Sequence, residues 1–66
     1  MTVATAIQAH LGLTGKDAAE RVGEHPVAWS MYCRGKRDPS AHKIQCWLDR
    51  LGLTLTWGQA GRVTLT

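Results

Sequence analysis

"LTGKDAAERVGEHPVAWSMYCRGKRDPS", residues 13–40, is the stretch whose reading decides the fold. Thr14 can accept from the free N–H groups of a helix start, and Asp17 three residues on is a weaker acidic version of the capping box. Ala18, Ala19 and Val22 then form the apolar stripe of a short helix, about two and a half turns, which Gly23 stops. His25-Pro26 restarts the chain, because proline is favoured at a first helical position, where its missing N–H has no partner to lose. A third helix over about 26–34 follows. In it Trp29 and Tyr32 sit three apart on one face with Cys33 beside them, and Val27, Ala28, Ser30 and Met31 spread over the rest. Gly35 closes that helix, and "KRDPS" turns the chain.

Outward from this stretch the punctuation continues. Thr2 can cap a first helix over about 3–11, where Ala4, Ile7 and Leu11 recur at spacings of three and four before Gly12. Ser40 can cap a fourth over about 41–51, with Ile44, Trp47, Leu48 and Leu51 as its stripe and Gly52 as its stop. From Leu53 the period changes to two. "LTLTW" and "RVTLT" alternate apolar residues with Thr, as half-buried strands do, and "GQAG" separates them. A three-residue turn of Gln59, Ala60 and a left-handed Gly61 sets Trp57 against Val63 and Leu55 against Leu65. A four-residue loop would set Leu55 against Thr64, so the bulged turn is preferred, although the second strand can also pair with another subunit.

Composition bounds the remaining choices. A chain of 66 residues holds one domain (1–66) whose core is marginal unless it is stapled or oligomeric. Apolar residues at 44% and charged residues at 20% describe a globule rather than a disordered tail. With no Phe, the three Trp and the aliphatic side chains must fill the core. Nothing reads as a signal peptide or a transmembrane span, so a cytoplasmic chain is expected, and Cys33 and Cys46 are expected to be buried free thiols. A net charge of +3 favours an acidic partner.

Two short helices joined by a glycine turn, the second ending before a basic loop, have the geometry of a helix-turn-helix (about 14–34). Residues 13–40 also resemble, without a gap, the phage Cro/repressor (XRE-type) helix-turn-helix family. The resemblance rests on Thr14 as polar cap, Ala19 at the close crossing, Gly23 in the turn, Trp29 in mid-helix, and Arg34-Gly35 through Pro39-Ser40. With the fourth helix and "LGLTL" it extends over about four fifths of the chain. It implies an α+β domain of four short helices followed by a C-terminal β-hairpin (about 53–66), binding double-stranded DNA as a transcriptional repressor. Gly15, where the family commonly has a polar residue, and Cys33, where it often has Glu, depart from the pattern.

The charge distribution points to the same partner. Arg34, Lys36, Arg37 and Lys43 cluster around the Ser40 helix start, and cations beside a helix N-terminus make a phosphate site. Thr14 and Lys16, at the start of the second helix, complete the expected phosphate set. Taken alone, such a run is a solvated loop; next to a helix-turn-helix it reads as a clamp on the DNA backbone. The resemblance places His25, Pro26, Val27, Ser30 and Met31 at the major groove. This reading face is largely apolar, suited to thymine methyls and DNA shape rather than bidentate base contacts.

A homodimer is expected through Leu55, Trp57, Val63 and Leu65, with a strand pairing across a two-fold axis as the resemblance implies. Other chemistry finds little support. His25, Cys33, His42 and Cys46 match no zinc-finger or ribbon spacing, and no third group orients a Cys-His pair for catalysis. No metal, cofactor or enzymatic activity is expected. The alternative to DNA binding is a protein-interaction module whose apolar third helix meets a protein.

Overall fold

The computed structural model describes residues 2–58 and 62–66. Its elements follow the order α1 (Val3–Leu11), α2 (Gly15–Val22), α3 (Pro26–Cys33), α4 (Ala41–Leu51), β1 (Leu55–Trp57) and β2 (Val63–Leu65). Every helix start is capped by a side chain. Thr2, Thr14 and Ser40 hydroxyls accept from the N–H groups of Thr5, Asp17 and Lys43 at 3.1, 3.3 and 3.1 Å. At α3 the cap is His25, whose Nδ1 accepts from the Val27 N–H at 3.1 Å. α3 ends at Cys33, one residue short of the expected boundary, with Arg34 as a right-handed C-cap and Gly35 turning the chain at φ 74°.

Gly23 ends α2 at φ 80°, in the left-handed region that a side chain disfavours. The arginine from the end of α4 lies across it: a Cβ there would meet the Arg50 guanidinium carbon at 3.0 Å. Glycine in the turn therefore serves both the backbone angle and the approach of α4.

β1 and β2 pair antiparallel within the chain, with Leu55 opposite Leu65 and Trp57 opposite Val63. That is the register in which apolar meets apolar, and the Gly58 N–H closes it on the Arg62 carbonyl at 2.6 Å. The expected Gln59-Ala60-Gly61 turn lies outside the described residues.

The core gathers Val3, Ala4 and Ile7 from α1, Ala18, Ala19 and Val22 from α2, Trp29 and Tyr32 from α3, and Trp47 and Leu48 from α4. Ala18 and Ala19 are wholly buried, small enough for α3 and α4 to pack closely on α2. Trp47 takes both aromatic rings of α3 edge-on, Trp29 and Tyr32 each at 5.1 Å between centroids.

One expectation is corrected. The thiols are not buried: Cys46 is exposed on α4 and Cys33 is half-buried, its thiol pushed up by desolvation. Of the four side chains expected at a dimer contact, Leu55, Val63 and Leu65 are half-buried and Trp57 is exposed. Leu55 and Leu65 pack against the chain's own core, whereas Trp57 remains 62% exposed.

Removing the Trp29 side chain should cost about 3–5 kcal/mol, a large part of the stability of a domain this small. Urea titration of Trp29→Ala followed by circular dichroism should find it mostly unfolded at room temperature; a shift below 1 kcal/mol would contradict a core centred on this ring.

Candidate nucleic-acid interface

α3 is apolar nearly all round, so its own periodicity scarcely selects an inward face. Size does. Trp29 and Tyr32 are 1% and 3% exposed, and their burial turns Val27, 58% exposed, to the opposite side. Pro26 and His25 are also exposed, while Ser30 and Met31 are half-buried along the flank. The His25 ring accepts through Nδ1, which leaves the proton of the neutral imidazole on Nε2 as an outward donor. The residues expected to read bases thus share one side of α3, with the N-terminal three the most open.

Hydrogen bonds from α1 hold α3 in that orientation. The Trp29 indole Nε1–H donates to Gln8 Oε1 at 2.9 Å, and the Cys33 thiol approaches the same oxygen at 3.5 Å. At the end of α3 the Cys33 carbonyl, without a partner inside the helix, accepts from the Thr2 and Thr5 hydroxyls at 3.2 and 2.9 Å. Gln8 and Thr5 escaped the sequence reading. A polar Gln8 beside Ile7, on the stripe of Ala4 and Leu11, was the available signal.

The basic loop is tied down by its backbone. The Met31 carbonyl accepts from Lys36 N–H at 2.9 Å and from Arg37 N–H at 3.4 Å, and Pro39 is half-buried before the Ser40 cap. Arg34, Lys36 and Arg37 are exposed. The Arg37 guanidinium lies 5.5 Å from the Tyr32 ring centroid, within cation–π range. Thr14 and Lys16 are exposed at the start of α2, and Ser40 is exposed although its hydroxyl is engaged as a cap.

Lys43 differs from the other cations. Its ammonium donates to both carboxylate oxygens of Glu24, at 3.1 and 3.4 Å, and lies 5.7 Å from the Tyr32 ring centroid. The Glu24 hydrogen bond, followed by the Tyr32 hydroxyl, pushes the Lys43 ammonium above its usual range. Glu24 was not anticipated as part of this surface. On the outer side of α4, Cys46 Sγ and His42 Nε2 lie 3.7 Å apart. Among the described residues no three or more His, Cys, Asp or Glu gather into a metal-binding group.

Helix capped at residue 14, glycine turn at residue 23, outward-facing α3 and a basic loop into a fourth helix form a helix-turn-helix, and a helix-turn-helix family model of the XRE type matches residues 4–58. The chain belongs to that family. It is a DNA-binding regulator, from a family that is generally non-enzymatic. Neither the curated proteins nor the solved structures contain a match to the chain. No helix among the described residues is long and apolar enough to cross a membrane.

Replacing Gln8 by Ala leaves the buried Trp29 N–H without an acceptor, a loss of about 1–3 kcal/mol. A matching fall in the urea midpoint, with the tryptophan emission still that of a folded protein, is expected of Gln8→Ala; unchanged stability would remove Gln8 from the support of α3.

Proposed function

We propose that this regulator is a Cro-like, phage-type repressor that binds a palindromic operator as a homodimer in the cytoplasm. The observation that carries the DNA-reading part is the exposed trio Arg34, Lys36 and Arg37 on a loop anchored through its backbone at Met31 and leading into a Ser40-capped helix. A loop held by neutral bonds keeps its cations free for phosphates, and the N–H groups opening α4 add donors. Thr14 and Lys16 hold the backbone on the other side of the groove, and Lys43, bound to Glu24, is available to the phosphate set only when that pair opens.

His25, Pro26, Val27, Ser30 and Met31 face base edges. His25 Nε2–H and the Ser30 hydroxyl supply hydrogen bonds, Val27 and Met31 supply contact with thymine methyls, and DNA shape contributes the remaining discrimination. Ala replacements of Lys36 and Arg37 should weaken binding to all duplexes alike and flatten the salt slope by about one unit per lost contact. Fluorescence anisotropy between 50 and 200 mM salt measures both. An unchanged slope returns the loop to a solvated role, and no binding to any duplex favours a protein-contact module.

Dimerisation is supported by the exposed Trp57 and its half-buried partner Val63, together with an uncharged groove of about 360 Å³ beside them. Ala41, Ile44, Gln45 and Leu48 of α4 line this groove with Thr54, Leu55 and Trp57. Two copies that each carry a net charge of +3 meet most favourably over a surface without charges. Leu55 and Leu65 are half-buried against the core, so Trp57 and Val63 carry most of the contact, and the two recognition helices would lie about 34 Å apart in successive major grooves. Sedimentation should find a dimer at micromolar concentration that Trp57→Ser converts to a folded monomer; a monomeric parent protein overturns the dimer alone.

A further inference from the structure

Besides the exposed Asp17 and Asp38, the surface proposed as a phosphate track holds one carboxylate that is paired with a cation. Glu24 follows Gly23 in the turn between α2 and α3, its backbone N–H bonded to the Ala19 carbonyl at 2.8 Å, so its position is set by the turn itself. Its side chain is only 13% exposed, and both oxygens face the Lys43 ammonium, which is 41% exposed. This is the one ion pair among the described residues. A cleft of about 310 Å³ between the turn and α4 holds the pair together with Ser40, His42 and Arg50. Glu24 is thus a fixed negative charge among cations, at the edge where the DNA backbone is expected.

We propose that Glu24 is a positioning residue that attenuates the sequence-independent part of DNA binding by holding Lys43 away from the phosphates. The inference rests on the DNA-reading surface proposed above. A half-buried pair with two hydrogen bonds is stronger than an exposed one, because less water screens it. For Lys43 to reach a phosphate it must leave Glu24. The carboxylate then remains poorly hydrated and close to the like charge of DNA. The phosphate contact at Lys43 is consequently offset within the protein.

The chemistry of α3 gives this offset a use. Backbone contacts supply affinity for every sequence, whereas discrimination comes from base edges and DNA shape. A reading face of Val27, Met31, Ser30 and His25 has no bidentate partner for a base, so its discrimination per contact is modest. The useful quantity for a regulator is the ratio of specific to non-specific binding. Lowering the backbone contribution at one cation limits occupancy of random DNA without altering the groups that read bases.

The test uses the full chain and a random-sequence duplex, with anisotropy titrations from 50 to 200 mM salt. Glu24→Gln keeps the size of the side chain and removes the charge. It should tighten binding by about tenfold at 0.1 M salt and steepen the salt slope by about 0.9, the value for one added phosphate contact. Lys43→Ala alone should weaken binding, because it leaves the Glu24 carboxylate unpaired beside the DNA backbone, and the double variant, which carries neither charge, should return to the wild-type affinity and slope. Weaker binding by Glu24→Gln, or a double variant that binds tighter than wild type, overturns the inference. Thermal melts accompany each variant. If Glu24→Gln does not fold, Lys43→Ala decides: a flattened slope relative to wild type means that Lys43 already holds a phosphate despite Glu24, and an unchanged slope supports the attenuation. A wild-type chain that binds no duplex would instead overturn the DNA surface on which the inference stands.

Discussion

The burial of Trp29 is the constraint on which the rest depends. Its ring is 1% exposed, edge-on to Trp47 at 5.1 Å, and its N–H reaches Gln8 across to α1 at 2.9 Å. One side chain thereby connects three helices. Because α3 is apolar on most sides, no polar face of its own forces a rotation, and the large anchors Trp29 and Tyr32 set it instead. What faces outward is the remainder: Val27 for more than half of its surface, Ser30 and Met31 less. The apolar character of the reading face follows from the same composition that makes the helix pack well.

The basic loop shows how charge can be concentrated without having to stabilise structure. Its geometry is held by neutral groups: Met31 and Cys33 carbonyls, Thr2 and Thr5 hydroxyls, and a glycine at φ 74°. Exposed ion pairs contribute little to stability, and here none is needed to hold Arg34, Lys36 and Arg37 in place. Lys43 lies deeper and is drawn into the fold by a carboxylate and an aromatic ring. Two cations six residues apart in sequence, Arg37 and Lys43, thus share the ring of Tyr32 while differing in their freedom to meet a phosphate.

Much of the fold was legible because it is local. The hydroxyl caps Thr2, Thr14 and Ser40, the stops Gly12, Gly23 and Gly52, and the change of period after Leu53 each act within a few residues, where covalent geometry alone brings donor and acceptor together. The hairpin register was also legible, since Leu55 opposite Leu65 and Trp57 opposite Val63 is the pairing that keeps apolar side chains on one face. The clustering of Arg34, Lys36 and Arg37 was visible for the same reason. The state of each thiol was not, because the half-burial of Cys33 and the exposure of Cys46 depend on which neighbours cover them.

The amino-acid sequence by itself determined where each helix begins and, but for one residue at the end of α3, where it ends, together with the strand register, the family pattern and the position of the basic loop, all through spacing along the chain and the intrinsic backbone preferences of Thr, Ser, Pro and Gly. Only the tertiary structure decided that Gln8 receives the indole of a residue 21 positions away, that Glu24 takes Lys43 from 19 positions away, and that Leu55 turns into the core while Trp57 stays outside. Such partners meet only after the helices have packed, because their separation in space is set by the crossing of whole elements over Trp29 and the small Ala18 and Ala19, and not by the few bonds between neighbouring residues.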